Sequence, residues 1–155
     1  MPTNQPVPAD AEIIFRAWLL SKSSITDLVG TRIATRLPRD AAMPFITYQR
    51  AGGILLRPTS QVHMQSAIIP VQCFAGQWGG DGTTSAPDYG KAMEVANAIV
   101  KEAFNMENEY VTTGTTNTRA KILGIDIPQL PARVNEAATG LGRYDIGLAM
   151  MYRAV

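Results

Sequence analysis

The chain is poor in the side chains that make and break bonds. Its 155 residues contain one cysteine, Cys73, and one histidine, His63. A lone cysteine excludes an internal disulfide and a cysteine-built zinc site. A lone histidine, set in a strand among Gln61, Val62 and Met64, has no partner set to make it a base or nucleophile activator, so it reads as a surface or interface residue. Cys73 shares its strand parity with Ile69 and Val71 and reads as a buried, inert thiol. Charge of one sign is also lacking: 14 basic against 13 acidic residues give +1, whereas proteins that live by gripping phosphate backbones carry a clear basic excess. No apolar run approaches the ~20 residues needed to span a bilayer. Residues 1–8 are polar and proline-rich, without the pattern of a secretory signal, and are expected to form a flexible leader.

What remains is ordinary globular composition, 46% hydrophobic and 17% charged, in a length that suits one domain over residues 9–155. Ala9 to Lys22 has helical periodicity through Ile13, Ile14, Ala17, Trp18 and Leu20, with Asp10 as N-cap. Ser24-Ile25-Thr26-Asp27 has capping-box form, and Gly30 suits a C-cap. After a linker at 38–44, Phe45 to Arg50 is rich in β-formers. Gly53 to Ser60 is too irregular for a sheet interior. A second strand region covers Gln61 to Ala75, where Val62 and Met64 lie on one parity and Ile69, Val71, Cys73 and Ala75 on the other. That predicts a bulge between Ser66 and Pro70. The two strands make a long hairpin with its tip near 52–60.

Ser85-Ala86-Pro87-Asp88 is expected to start a helix running to about Phe104, with Ala92, Val95, Ala96, Ile99, Val100, Ala103 and Phe104 on its apolar face. Asn105 to Asn117 reads as a loop with a short extended piece at 109–112. Lys121 to Ile127 is a third strand ended by Pro128 and Pro131, and 135–142 is a loop. Arg143 to Arg153 alternates cleanly, with Tyr144, Ile146, Leu148, Met150 and Tyr152 on one face, as expected of a strand inside the sheet. The predicted fold is α+β: one antiparallel or mixed sheet of about four strands, a long β-hairpin, and two helices on one face.

Little in the sequence points to bond-making chemistry. Glu102, Glu107 and Glu109 lie in a polar stretch where charges face water. Asp81 between Gly80 and Gly82 lacks the later ligands of a calcium loop. Gly79 to Thr84 precedes a helix but has no lysine until Lys91, so it is not a nucleotide loop. The expectation is no metal, no cofactor and no enzymatic activity. One charge feature stands out. Arg32, Arg36, Arg39, Arg50 and Arg57 are interrupted only by Asp40, and arginine is favoured in interface ion pairs and at phosphates. The alternatives are solvated surface, a basic rim meeting a neighbouring subunit, or a position near passing DNA. With Gln61 and His63, these five residues form the candidate interface.

The order of signals resembles the tail terminator, or minor tail component, family of long-tailed bacteriophages. The resemblance rests on the opening helix Ala11 to Leu20, Leu28-Val29-Gly30-Thr31-Arg32-Ile33, Pro44-Phe45-Ile46-Thr47-Tyr48-Gln49, Pro70-Val71-Gln72-Cys73-Phe74-Ala75, the helix Tyr89 to Phe104, and the closing strand Arg143 to Arg153. It covers the chain from about residue 10 onward. It implies a virion protein with no catalytic residues, forming a ring, typically a hexamer. The ring caps the tail tube and presents the docking face for the head–tail connector, and DNA passes only through the lumen. Its place is the head–tail junction of the virion, and the host cytoplasm during assembly. Another tail-tube or connector completion protein of the same fold, or a non-viral monomeric binding module, are the competing readings.

Overall fold

The computed structural model describes residues 10–56, 64–79, 85–113, 119–135 and 138–155. Three helices, α1 (Ala11–Leu20), α2 (Ser23–Val29) and α3 (Tyr89–Ala103), accompany eight strands: β1 (Ile33–Ala34), β2 (Phe45–Tyr48), β3 (Gly52–Leu56), β4 (Met64–Gln77), β5 (Ala86–Pro87), β6 (Tyr110–Thr112), β7 (Arg119–Val134) and β8 (Gly142–Ala154). The expected four strands and two helices are therefore too few. The sheet runs β1-β2-β4-β8-β7-β6, with β3 and β5 also paired to β4. It is mixed, because β1 runs parallel to β2 while the other pairs are antiparallel.

The closing strand lies between β4 and β7, inside the sheet as its alternation predicts. Its pairing with β4 is unbroken from Met64↔Arg153 to Ala75↔Gly142, so β4 has no bulge between Ser66 and Pro70. The irregularity sits on the neighbouring chain segment instead. β2 pairs in the register Tyr48↔Val71 and β3 in the register Gly52↔Ile68, which differ by one residue. Residues 49–51 absorb the extra position. Pro70 faces this junction: its carbonyl accepts from the Gln49 amide at 3.3 Å. A residue's N–H and C=O point to the same side of a strand, so the donor that Pro70 lacks is missing where the ladder is already interrupted.

The apparent change of face came from Gln65. Odd-numbered residues of β4 are buried from Gln65 to Ala75, and Gln65 holds its inward position with Oε1 accepting from the Tyr152 hydroxyl at 2.6 Å. A glutamine at an inward position breaks the hydrophobic pattern without breaking the strand, because its buried amide is paired. Gly52–Leu56 pairs along β4 as a strand, although its composition suggested irregular chain. The expected hairpin tip beyond Leu56 lies outside the described residues.

β7 runs through the two prolines expected to end it. Its register against β8 slips between Ile122 and Gly124, Asp126 and Gln129, and Gln129 and Ala132. Pro128 and Pro131 fall within the last two slips, where a bulge removes the need for a ladder donor. β6 confirms the short extended piece at 109–112.

The helices pack against one face of the sheet. Ile14, Phe15, Trp18 and Leu19 of α1, Ile25 and Val29 of α2, and Val95, Ala96 and Ile99 of α3 join Ile69, Val71 and Cys73 of β4 and Ile146, Leu148, Met150 and Tyr152 of β8 in one buried cluster. Periodicity placed the α1 stripe slightly off axis: Ile13 is 47% exposed, and Phe15 and Leu19 are the buried residues instead. On α3 the apolar face is as expected except for Phe104, which is 70% exposed just past the helix end.

Two caps differ from expectation and two agree: Gly30 closes α2 with positive φ, its amide donating to the Thr26 carbonyl at 2.7 Å, and Asp10 opens α1. The Asp10 side chain accepts from the Glu12 amide at 2.8 Å. The Ser24–Asp27 box does not form, since α2 starts at Ser23 without a side-chain cap and Ser24 Oγ donates to Glu102 at 2.6 Å. The cap of α3 lies three residues after the expected serine. Asp88 caps the helix, accepting from the Lys91 amide at 2.9 Å, while Ala86–Pro87 pairs with β4 and Ser85 Oγ accepts from Gly79 N.

Candidate assembly surfaces

Among the described residues no group of three or more His, Cys, Asp or Glu could hold a metal ion, and no helix is long and apolar enough to cross a membrane. Asp81 and most of the glycine-rich loop after Gly79 lie outside the described residues. The carboxylates thought to face water are in part structural. Glu109 receives both of its contacts from Lys22 Nζ at 2.7 Å, tying the end of α1 to the approach to β6, and Glu102 holds Ser24.

Cys73 is fully buried in the core cluster. Burial, with the Asp145 carboxylate as a smaller contribution, pushes its thiol far above the ordinary range because the charged thiolate is disfavoured in an apolar setting. Reaction needs the thiolate. The folded protein is therefore expected to leave a disulfide reagent unconsumed at pH 8, and denaturant is expected to release one thiol equivalent. Rapid labelling of native protein would show that the core opens on the labelling timescale.

The candidate arginines are not one patch. Arg32 turns inward onto its own chain, with Nε donating to the Pro44 carbonyl at 2.8 Å and Nη2 to the Leu28 carbonyl at 3.3 Å. It braces the α2–β1 turn against the start of β2. Arg36 and Arg39 are exposed in the segment after β1. Arg36 borders a groove of about 360 Å³ with Thr47, Tyr48, Pro70 and Gln72, where Thr47 Oγ1 lies 3.0 Å from Gln72 Oε1. Arg50 is exposed at the β2–β3 junction, where its amide donates to Glu12 Oε1 at 2.9 Å. Arg57, Gln61 and His63 lie outside the described residues.

Sequence reasoning passed over two surfaces. The first is the face of the sheet away from the helices. The register places Ser66, Ile68 and Pro70 of β4 beside Met151, Ala149 and Gly147 of β8, and Gly124, Asp126 and Gln129 of β7 beyond them. Ile68 is 49% and Met151 38% exposed, so apolar side chains meet solvent across the middle of this face. At its end, Arg143 pairs with Asp145 at 2.7 Å and its guanidinium lies 5.8 Å from the Phe74 ring centroid. The even-numbered residues of β4 carried this signal, once Gln65 is recognised as inward.

The second surface is a pair of unequal sheet edges. β6 covers β7 only over Arg119–Lys121. Past that point no described strand pairs with the outer side of β7, which carries the prolines and register slips. On the opposite side β1 covers β2, and no described strand covers β3.

No family model matches the chain, and no curated protein sequence matches it. Among solved structures, a chain from the virion of a native gene transfer agent particle matches with a TM-score of 0.53 at 13% identity, over 88% of this chain and 89% of that one. At that identity the likeness is one of fold: this chain shares, over nearly its whole length, the mixed α+β architecture of a virion component.

Proposed function

We propose that the chain is a structural virion protein without catalytic activity. In this reading it forms a closed ring, a hexamer, that caps the phage tail tube, ends tube growth and presents the joining surface for the head–tail connector. The observation that carries the virion role is the whole-length fold likeness to a chain of a gene transfer agent virion. The terminator role within it rests on the segments quoted above, from Leu28 to Ile33 and from Pro44 to Gln49. Ring closure needs heterologous contacts, and the exposed Arg36 and Arg39 are candidates for the side that meets an acidic neighbour. DNA passes through the lumen without sequence-specific contact, in keeping with a net charge of +1.

The decisive experiment uses particles assembled with and without this chain. Without a terminator, tubes lose their fixed length and fail to join heads, and adding the purified protein restores both. Tubes of normal length in its absence would remove the terminator role. A defect confined to another joint would assign the chain to a different completion step of the virion.

A further inference from the structure

One corner of the outer sheet face, at the start of β7, carries unbalanced charge. Val111 of β6, Ala120 and Ile122 of β7 and Tyr152 of β8 are buried in the core. By strand alternation their neighbours Tyr110, Thr112, Arg119, Lys121 and Arg153 share the other face. The register sets Tyr110, Lys121 and Arg153 in one row across three strands, and Thr112 beside Arg119 in the next. Tyr110 is 49% exposed. The Arg119 guanidinium lies 4.2 Å and the Lys121 ammonium 5.5 Å from its ring centroid. Like charges directly opposite each other destabilise a sheet, and Lys121 against Arg153 is such a pair. Among the described residues no carboxylate is in ion-pair reach of these three cations, and Arg153 Nε is buried without a hydrogen-bond partner. Glu109 is taken up by Lys22, and Glu107 lines a depression at the next row with Gly124 and Met151. Residues 57–63 and 114–118, which join strand ends at this corner, contain no Asp or Glu. The acids outside the described residues, Asp81 and Glu136, follow the opposite ends of β4 and β7.

We propose that this corner is a contact site for the phosphate backbone of double-stranded DNA. Its polar groups are guanidinium, ammonium and hydroxyl, the donors that phosphates take up, and the patch holds no carboxylate. Lysine is depleted at protein–protein interfaces, which favours a nucleic acid over an acidic protein surface. The row of Tyr110, Lys121 and Arg153 spans about 10 Å at the spacing of neighbouring strands. Duplex DNA carries one charge per about 1.7 Å of its axis, so several phosphates lie within reach of the row. Such contact carries no sequence preference. With a net charge of only +1 on the whole chain, the attraction is local to this corner. The choice of DNA as the polymer rests on the virion reading, whereas the charge imbalance stands without it.

The test measures binding of a fluorescent DNA duplex of mixed sequence by the full chain over a salt series. Each neutralised phosphate contributes about 0.9 to the slope of log K against log salt, so Arg119→Gln combined with Lys121→Gln should flatten that slope by about 1.8. Arg153→Gln should flatten it by about 0.9. Lys101→Gln, exposed on α3, should leave it unchanged. Arg119 is exposed, so Arg119→Gln alone gives a reading even if the part-buried Arg153→Gln fails to fold, and thermal melting identifies that case. Unlabelled duplex should displace the probe, and poly-glutamate should not. No binding by the unaltered chain, or an unchanged slope in the double variant, overturns the proposal. Displacement by poly-glutamate as readily as by duplex also overturns it and assigns the corner to an acidic protein. Tube length does not enter this assay. Failure here therefore leaves the terminator reading standing, and a chain that binds DNA through these residues without ending tubes keeps the site and loses that reading.

Discussion

Replacing Trp18 by alanine should lower the unfolding free energy by about 3–5 kcal/mol, the range for emptying a large aromatic site in a packed core. Trp18 is fully buried at the centre of α1. Its ring stacks on Phe15 at 5.8 Å, and Phe15 in turn meets Tyr48 edge-on at 5.6 Å, so the indole supports the contact between α1 and β2. In a chain of this size each kcal/mol moves the melting temperature by roughly 2–4 °C, which makes the shift easy to read by thermal denaturation. Trp18→Phe should cost much less. The indole Nε1 is buried with no hydrogen-bond partner among the described residues, and an unsatisfied buried donor carries a penalty of about 1–3 kcal/mol. Phenylalanine loses volume but removes that donor. If the two variants were equally destabilised, the N–H would have to be paired in solution.

Gly142→Ala should be strongly destabilising for a single added methyl, at about 3 kcal/mol, the upper end of overpacking costs. A methyl at Gly142 would lie 2.6 Å from the carbonyl carbon of Asp88 and 2.8 Å from both the Asp88 oxygen and the Tyr89 nitrogen. These are backbone atoms at the start of α3, held by the Asp88 cap and by the Asp88 amide bond to Ala75, so no side chain can move aside. Either α3 lifts from the sheet or β8 shifts against β4. Hydrogen exchange should show faster exchange in the first turn of α3 and along β4–β8. Gly90→Ala is the matched control. Its nearest neighbour is Asp88 Oδ1 at an ordinary 3.6 Å, and alanine is favoured over glycine in a helix by up to about 1 kcal/mol. That variant should be neutral or slightly stabilised. Unaltered stability in Gly142→Ala would mean that α3 does not approach β8 this closely.

Elements whose local pattern and burial agree were legible in the sequence. α3 has one apolar face and one wet face, and every even-numbered residue of β8 from Tyr144 to Tyr152 is apolar or aromatic, so both could be placed from periodicity alone. The failures share a cause: a residue whose local preference was overruled by a partner far along the chain. Gln65 is polar yet inward, because Tyr152, 87 positions later, donates to it. Pro128 and Pro131 do not end β7, because slips against β8 accommodate them. Gly52–Leu56 is a strand because β4 pairs with it. Arg32, read as a candidate interface residue, is bound to the Pro44 carbonyl, which the fold brings to it across the segment between β1 and β2. The candidate surfaces were less legible than the core for the same reason, since an edge or an uncovered face exists only once strand order is set.

Composition by itself settled the kind of chain this is: near-neutral, with one cysteine and one histidine, and with the periodicities of an α+β protein. Those properties belong to residues one at a time, or to neighbours within a few positions, and need no tertiary contact to be read. Strand order, the one-residue change of register at 49–51, the inward turn of Gln65 and the contrast between the β3 and β7 edges were decided only in the folded chain. Each depends on which distant segment supplies the hydrogen-bond partner, and local preference does not specify that choice.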